Sequence, residues 1–95
     1  MRLVWHTPAS LDLVALAENH AVYSENFANA ILDRIDAQMA LLGRFPYLGR
    51  PGLVEGSRER PIPGTPYLII YGIGQDELFI LNILQGARNF PPEIA

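Results

Sequence analysis

Tyr67-Leu-Ile-Ile-Tyr-Gly-Ile73 and Leu78-Phe-Ile-Leu-Asn-Ile-Leu84 decide the architecture. Each run is β-prone and apolar on both alternating faces, and Gly74-Gln-Asp-Glu77 between them supplies a turn, so together they read as a buried hairpin. Just upstream, Arg58-Glu-Arg60 reads as a short strand cut by Pro61, and Pro63-Gly-Thr-Pro66 as the turn that follows it. The stretch from Phe45 to Gly56 holds Pro46, Gly49, Pro51, Gly52 and Gly56 and predicts a loop. Before it, Phe27, Ala28, Ile31, Leu32, Ile35, Met39 and Leu42 form a helical stripe that opens at the cap signal Ser24-Glu-Asn26 and ends at Gly43. A first helix is expected from Pro8 to about Val22, with Thr7 as its cap. Its predicted buried face is Leu11, Val14, Ala15, Ala17, Ala21 and Val22, widened by Leu13 and Leu16. Arg2-Leu-Val-Trp-His6 is a short strand ahead of it. The order β-α-α-β-β-β predicts an α+β fold: an αα-hairpin packed on a small antiparallel sheet, in one domain over residues 1–95.

Composition narrows the chemistry. The chain has 95 residues, 49% of them hydrophobic, which fills one core and no more. It contains no cysteine, which removes disulfides, thiolate nucleophiles and Cys-ligated metals. His6 and His20 lack metal-ligand spacing, so neither a metal nor a cofactor is expected. Residues 1–5 lack a signal-peptide h-region, and no apolar run has the length of a membrane span, so a cytoplasmic setting without membrane contact is expected. The formal net charge of −3 argues against broad capture of nucleic acid. Yet residues 44–60 carry Arg44, Arg50, Arg58 and Arg60 against only Glu55 and Glu59, an arginine island in an acidic chain. The absence of lysine favours planar, forked contacts to carboxylate or phosphate.

Arg58 and Arg60, two apart on one strand, point to one face. Arg88 follows the last strand, and the three could converge on one anionic group, with Tyr67, Tyr71 and Phe90 near them; pairing with Glu55 or Glu59 is the structural alternative. Weaker signals resolve as structure. Gly72-Ile-Gly74 does not open a helix and is a turn, Asp33 with Asp36 and Asp76 with Glu77 are solvated, and Ser24 is a cap. Asn82, polar within an apolar strand, is expected to be hydrogen-bonded at a sheet edge or groove.

Taken in order, these stretches resemble the RelE/ParE superfamily of bacterial toxin–antitoxin toxins across nearly the whole chain. The residues that carry the likeness are Thr7-Pro-Ala-Ser-Leu-Asp-Leu13, Phe27-Ala-Asn-Ala-Ile31, Leu42-Gly-Arg-Phe-Pro-Tyr-Leu-Gly-Arg-Pro-Gly52, Gly56-Ser-Arg-Glu59, Pro66-Tyr-Leu-Ile-Ile-Tyr71 and Ile80-Leu-Asn-Ile-Leu-Gln-Gly-Ala-Arg-Asn-Phe-Pro91. The resemblance implies a toxin held inactive in a hetero-oligomer by a small DNA-binding antitoxin, commonly of ribbon-helix-helix type, with operator DNA contacted only through the antitoxin. Its two branches differ in target. RelE-like members cleave mRNA on the ribosome and need proton-transferring side chains, for which this chain offers Arg58 and Arg88 but Gln85 and Phe90 where His and Tyr are expected. ParE-like members bind DNA gyrase and need no acid or base. The Gly-Arg-Pro-Gly loop and the Gln-Gly-Ala-Arg-Asn-Phe-Pro ending resemble that branch better. The expected antitoxin- or target-binding residues are therefore Arg50, Arg58, Arg60, Tyr71, Arg88 and Phe90, with mRNA cleavage and a non-toxic antitoxin-binding module as the alternatives.

Overall fold

A computed structural model describes residues 1–85. The order is β1 (Arg2–Trp5), α1 (Thr7–Ala21), α2 (Glu25–Arg44), β2 (Arg50–Pro51), β3 (Ser57–Pro61), β4 (Tyr67–Ile73) and β5 (Glu77–Gln85). The five strands lie in the spatial order β1-β5-β4-β3-β2, with both helices against the sheet. This is the expected α+β arrangement with two additions. The loop after α2 contributes the two-residue strand β2, and β1 joins the sheet parallel to β5, so the sheet is mixed rather than purely antiparallel. The parallel pairing follows from topology: β1 leads directly into the helix layer, and only after the αα-hairpin crosses the sheet does the chain return to β5 beside it.

The central hairpin runs from Tyr67↔Gln85 to Ile73↔Leu78, with a register shift that leaves Leu81 as an extra residue opposite the Ile70–Tyr71 step. Its core-facing side chains Ile69, Tyr71, Leu78, Ile80 and Ile83 meet Ile31, Ile35, Met39 and Leu42 of α2. Full burial of each aliphatic side chain contributes roughly 1.5–3 kcal/mol. The Ser24 hydroxyl caps α2 by accepting from the Phe27 N–H at 3.1 Å, as the sequence implies.

Helix α1 corrects two expectations. Its cap residue is His6, which makes no side-chain capping bond, while Thr7 and Pro8 are already helical. Pro8 is tolerated there because its missing N–H falls among the donors that have no partner in the first turn. The buried face is Ala9 and Leu16, flanked by the half-buried Leu13, Ala17 and His20. Leu11, Val14, Ala15, Ala21 and Val22, expected inside, face outward. Both faces of α1 are apolar, so periodicity alone does not choose between them. Among the described residues, no helix is long and apolar enough to cross a membrane.

Candidate functional site: an arginine-clamped loop

Strand β3 pairs with β4 in the register Arg58↔Tyr71, Glu59↔Ile70 and Arg60↔Ile69. Tyr71 and Ile69 belong to the core beneath the helices, so Arg58 and Arg60 lie on that same side, as alternation requires. Both end in protein contacts. Arg60 Nε donates to Gln38 Oε1 of α2 at 2.8 Å. Arg58 Nε donates to Gly49 O at 3.0 Å, and its Nη2 donates to Gly49 O and, at 3.3 Å, to Tyr47 O. The guanidinium also sits 5.3 Å from the centre of the Tyr47 ring.

The neighbour of Arg58 across the strands completes the clamp. Tyr71, fully buried, donates its hydroxyl proton to Pro46 O at 2.7 Å and accepts the Gly49 N–H at 2.9 Å. One cross-strand pair, Arg58 and Tyr71, thus satisfies the backbone of the loop that leaves α2. Gly49 is required by space: a Cβ there would lie 2.6 Å from both Glu59 O and the Tyr71 hydroxyl. The loop's far turn needs a left-handed residue, which Gly56 supplies at φ 84°. On the opposite sheet face, Arg50 Nε donates to Glu59 Oε1 at 3.0 Å. That carboxylate is buried, and its Oε2 has no hydrogen-bond partner among the described residues.

Of the six expected binding residues, the structure gathers Arg50, Arg58 and Tyr71 at this loop and sets Arg60 farther along β3 against α2. Tyr71 reaches no surface, so its part in any docking is to hold the loop. Arg88 and Phe90 lie outside the described residues. The clamped loop presents Phe45, Tyr47, Leu48, Leu53 and Val54 as exposed side chains, which the sequence marked only as loop.

A second cluster escapes sequence reasoning because its members are 47 positions apart. His20 Nε2 lies 2.7 Å from the Tyr67 hydroxyl, and its ring meets Tyr67 and Phe27 edge-on. Burial pushes the Tyr67 phenol above its ordinary value of 10.0. At neutral pH it keeps its proton. Asn82, as expected, is hydrogen-bonded: its Nδ2 donates to Asp12 Oδ2 at 3.3 Å, and the same oxygen accepts the Ile83 N–H at 2.9 Å. Among the described residues, no group of three or more His, Asp or Glu side chains gathers as a metal site would need.

Comparison with known proteins bears on this arrangement at three levels. Y4kP of Sinorhizobium fredii, a candidate toxin by its name, is 31% identical over 64 residues, which is 67% of this chain and 66% of that one. A solved chain from the chromosomal ParDE toxin–antitoxin system of P. aeruginosa superposes with a TM-score of 0.81 at 26% identity, covering 90% of this chain and 96% of that one. A histidine-to-glutamine mutant of E. coli YafQ shares the fold at a TM-score of 0.63 and 19% identity, covering 95% of this chain and 99% of its own. The family described as the ParE toxin of type II toxin–antitoxin systems matches residues 3–90, so the chain belongs to the ParE toxin family.

Proposed function

We propose that this chain arrests growth by binding DNA gyrase, and that a cognate antitoxin, a small DNA-binding protein of ribbon-helix-helix type, neutralises it in a cytoplasmic hetero-oligomer. Operator DNA is contacted only through that antitoxin. The observation that carries the reading is the state of Arg58. A nuclease needs such a guanidinium turned toward a scissile phosphate, whereas here its Nε and Nη2 donors are turned to the carbonyls of Gly49 and Tyr47. A cation spent on loop carbonyls builds a surface, and inhibition by binding needs a surface. Family membership and the ParDE structural likeness support the same side.

The runner-up, mRNA cleavage on the ribosome, has one observation in its favour: His20 and Tyr67 form a pair of proton-exchanging groups. Tyr67 is only 7% exposed, however, and its hydroxyl is already occupied by His20.

Incorporation of labelled thymidine and labelled amino acid, followed in parallel for minutes after induction without antitoxin, tests the assignment. The expected result is that DNA synthesis falls first. An earlier fall in protein synthesis, with cut mRNA, overturns it in favour of the ribonuclease. No fall in either leaves a non-toxic antitoxin-binding module.

A further inference from the structure

We infer that the loop between α2 and β3 is the surface that engages the toxin's target, and that it meets an acidic, apolar-lined surface of a folded protein. The inference rests on the reading of the chain as a toxin that acts by binding a protein.

Three observations on the loop support it. The first is exposure: Tyr47 is 71%, Val54 73%, Phe45 53% and Leu53 46% exposed, grouped on one loop of a chain that has enough apolar side chains elsewhere to fill its core. Clustered apolar exposure on a small domain marks an interaction site. The second is charge. Arg44 lies 5.5 Å from the Phe45 ring centre, and the side chain of Arg50 is about half exposed, while the carboxylate facing Arg50 is buried. Set against Glu55, exposed on the same loop, and Glu59, the cations Arg44, Arg50 and Arg58 still leave a positive surplus in an otherwise acidic chain, and the complement of the patch is acidic. The third is rigidity. Arg58 and Tyr71 fix the loop backbone from below, so its side chains are presented without the ordering cost that a free loop would pay on binding.

Side-chain chemistry selects the occupant. Leu53 and Val54, both exposed, gain nothing against phosphate or ribose, so an apolar protein surface is favoured over RNA. Aromatic and Arg side chains on such a loop are the residue types that dominate binding energy.

The test uses Tyr47→Ser/Val54→Ser and, separately, Arg44→Glu, all at exposed positions, with Tyr23→Ser, 90% exposed at the α1–α2 turn, as the control. Thermal unfolding establishes that each variant is folded. Purified wild type, variants and control are assayed for inhibition of gyrase supercoiling and for affinity to the cognate antitoxin, and each is induced in cells lacking antitoxin. The double variant is expected to need about tenfold more protein for half-inhibition and to lose growth arrest, with antitoxin affinity within about twofold of wild type. Arg44→Glu is expected to weaken inhibition several-fold and to flatten its salt dependence, and Tyr23→Ser to change nothing. Wild-type inhibition by the double variant overturns the inference. An equal loss of antitoxin affinity also overturns it, because the loop then belongs to the antitoxin interface. If the wild type cleaves mRNA on ribosomes and the double variant does not, the loop faces RNA and the protein partner is refuted. If the wild type arrests growth without touching gyrase or mRNA, the gyrase reading alone fails. Growth arrest by the double variant then decides the loop: loss supports it, retention refutes it.

Discussion

Because Tyr71 is fully buried and its hydroxyl serves two backbone groups, Tyr71→Phe leaves the Gly49 N–H and the Pro46 carbonyl without their partner. An unsatisfied buried donor costs about 1–3 kcal/mol, and a domain of this size loses roughly 4–8 °C of unfolding midpoint per kcal/mol. The expected outcome is a lowered midpoint together with faster protease cutting inside residues 46–56, where the anchor is lost. Cutting elsewhere first would refute the anchor. Gly49→Ala attacks the same point from the other side, pushing a methyl into Glu59 O and the phenol, and is expected to cost a comparable amount in denaturant unfolding. Tyr67 gives a pH-dependent test. Below its ordinary value of 10.0 the phenol is protonated whether the chain is folded or not, so its contribution is fully present. As pH rises, the unfolded phenol ionises first and that contribution fades until the higher folded value is passed. The stability gap between wild type and Tyr67→Phe is therefore expected to shrink in thermal melts as pH rises past 10.0; a constant gap counts against a burial-raised phenol. At this scale, alternation over Arg58-Glu-Arg60 is enough to place both arginines on one face. It carries no information about what waits there, because the acceptors come from Gln38 and from carbonyls of a loop with no period of its own.

The two helices differ in how openly their sequences state which face is buried, and the difference is one of contrast. In α2, Ala28, Ile31, Ile35, Met39 and Leu42 alternate with Asp33, Arg34 and Asp36, so only one face can be apolar. In α1, Leu11 and Val14 compete with Ala9, Leu13 and Leu16, and tertiary packing rather than periodicity selects the second set. Leu16→Ala is accordingly expected to cost about 2–5 kcal/mol, as deletion of a buried aliphatic group does. Leu11→Gln, at a position 64% exposed, is expected to stay within about 0.5 kcal/mol. Denaturant unfolding of the two variants side by side checks the face, and a larger loss at Leu11 would reverse it. The hairpin β4–β5 is the most legible element because its runs are apolar on both faces and bounded by a turn. Strand β2 is the least, since two residues containing a proline leave no pattern; only the cross-strand pairs Arg50↔Glu59 and Pro51↔Arg58 make it a strand.

For the molecule as a whole, the decisive contacts join distant parts of the sequence, where local patterns are silent. Strand β1 lies beside β5 in the register Arg2↔Glu77 to Trp5↔Ile80, then ends where α1 begins, leaving the farther half of β5 without a strand on that side among the described residues. Asp12 of α1 fills that gap. Its carboxylate accepts the Ile83 N–H and the Asn82 amide, so a helix side chain substitutes for the next strand and ties the two layers across about 70 positions of sequence. A neighbouring strand would leave this edge no freedom, whereas a carboxylate can be exchanged for a test. Asp12→Ala removes the oxygen that accepts both hydrogen bonds and is expected to lower stability by about 1–3 kcal/mol, because a half-buried strand N–H loses its partner. Asp12→Asn keeps an oxygen at the same reach and is expected to recover part of that loss. Amide hydrogen exchange separates this from general destabilisation: Ile83 should lose protection in the alanine variant by more than Ile80, whose neighbours in β1 remain. Equal loss at both positions would mean that the carboxylate does no more than fill space. The β5 segment that Asp12 secures leads, past Gln85, toward Arg88 and Phe90, two of the residues the sequence marks for binding. Antitoxin affinity is therefore expected to fall more for Asp12→Ala than for the outward-facing change Leu11→Gln, and titration calorimetry of the two variants against the cognate antitoxin reads that difference directly.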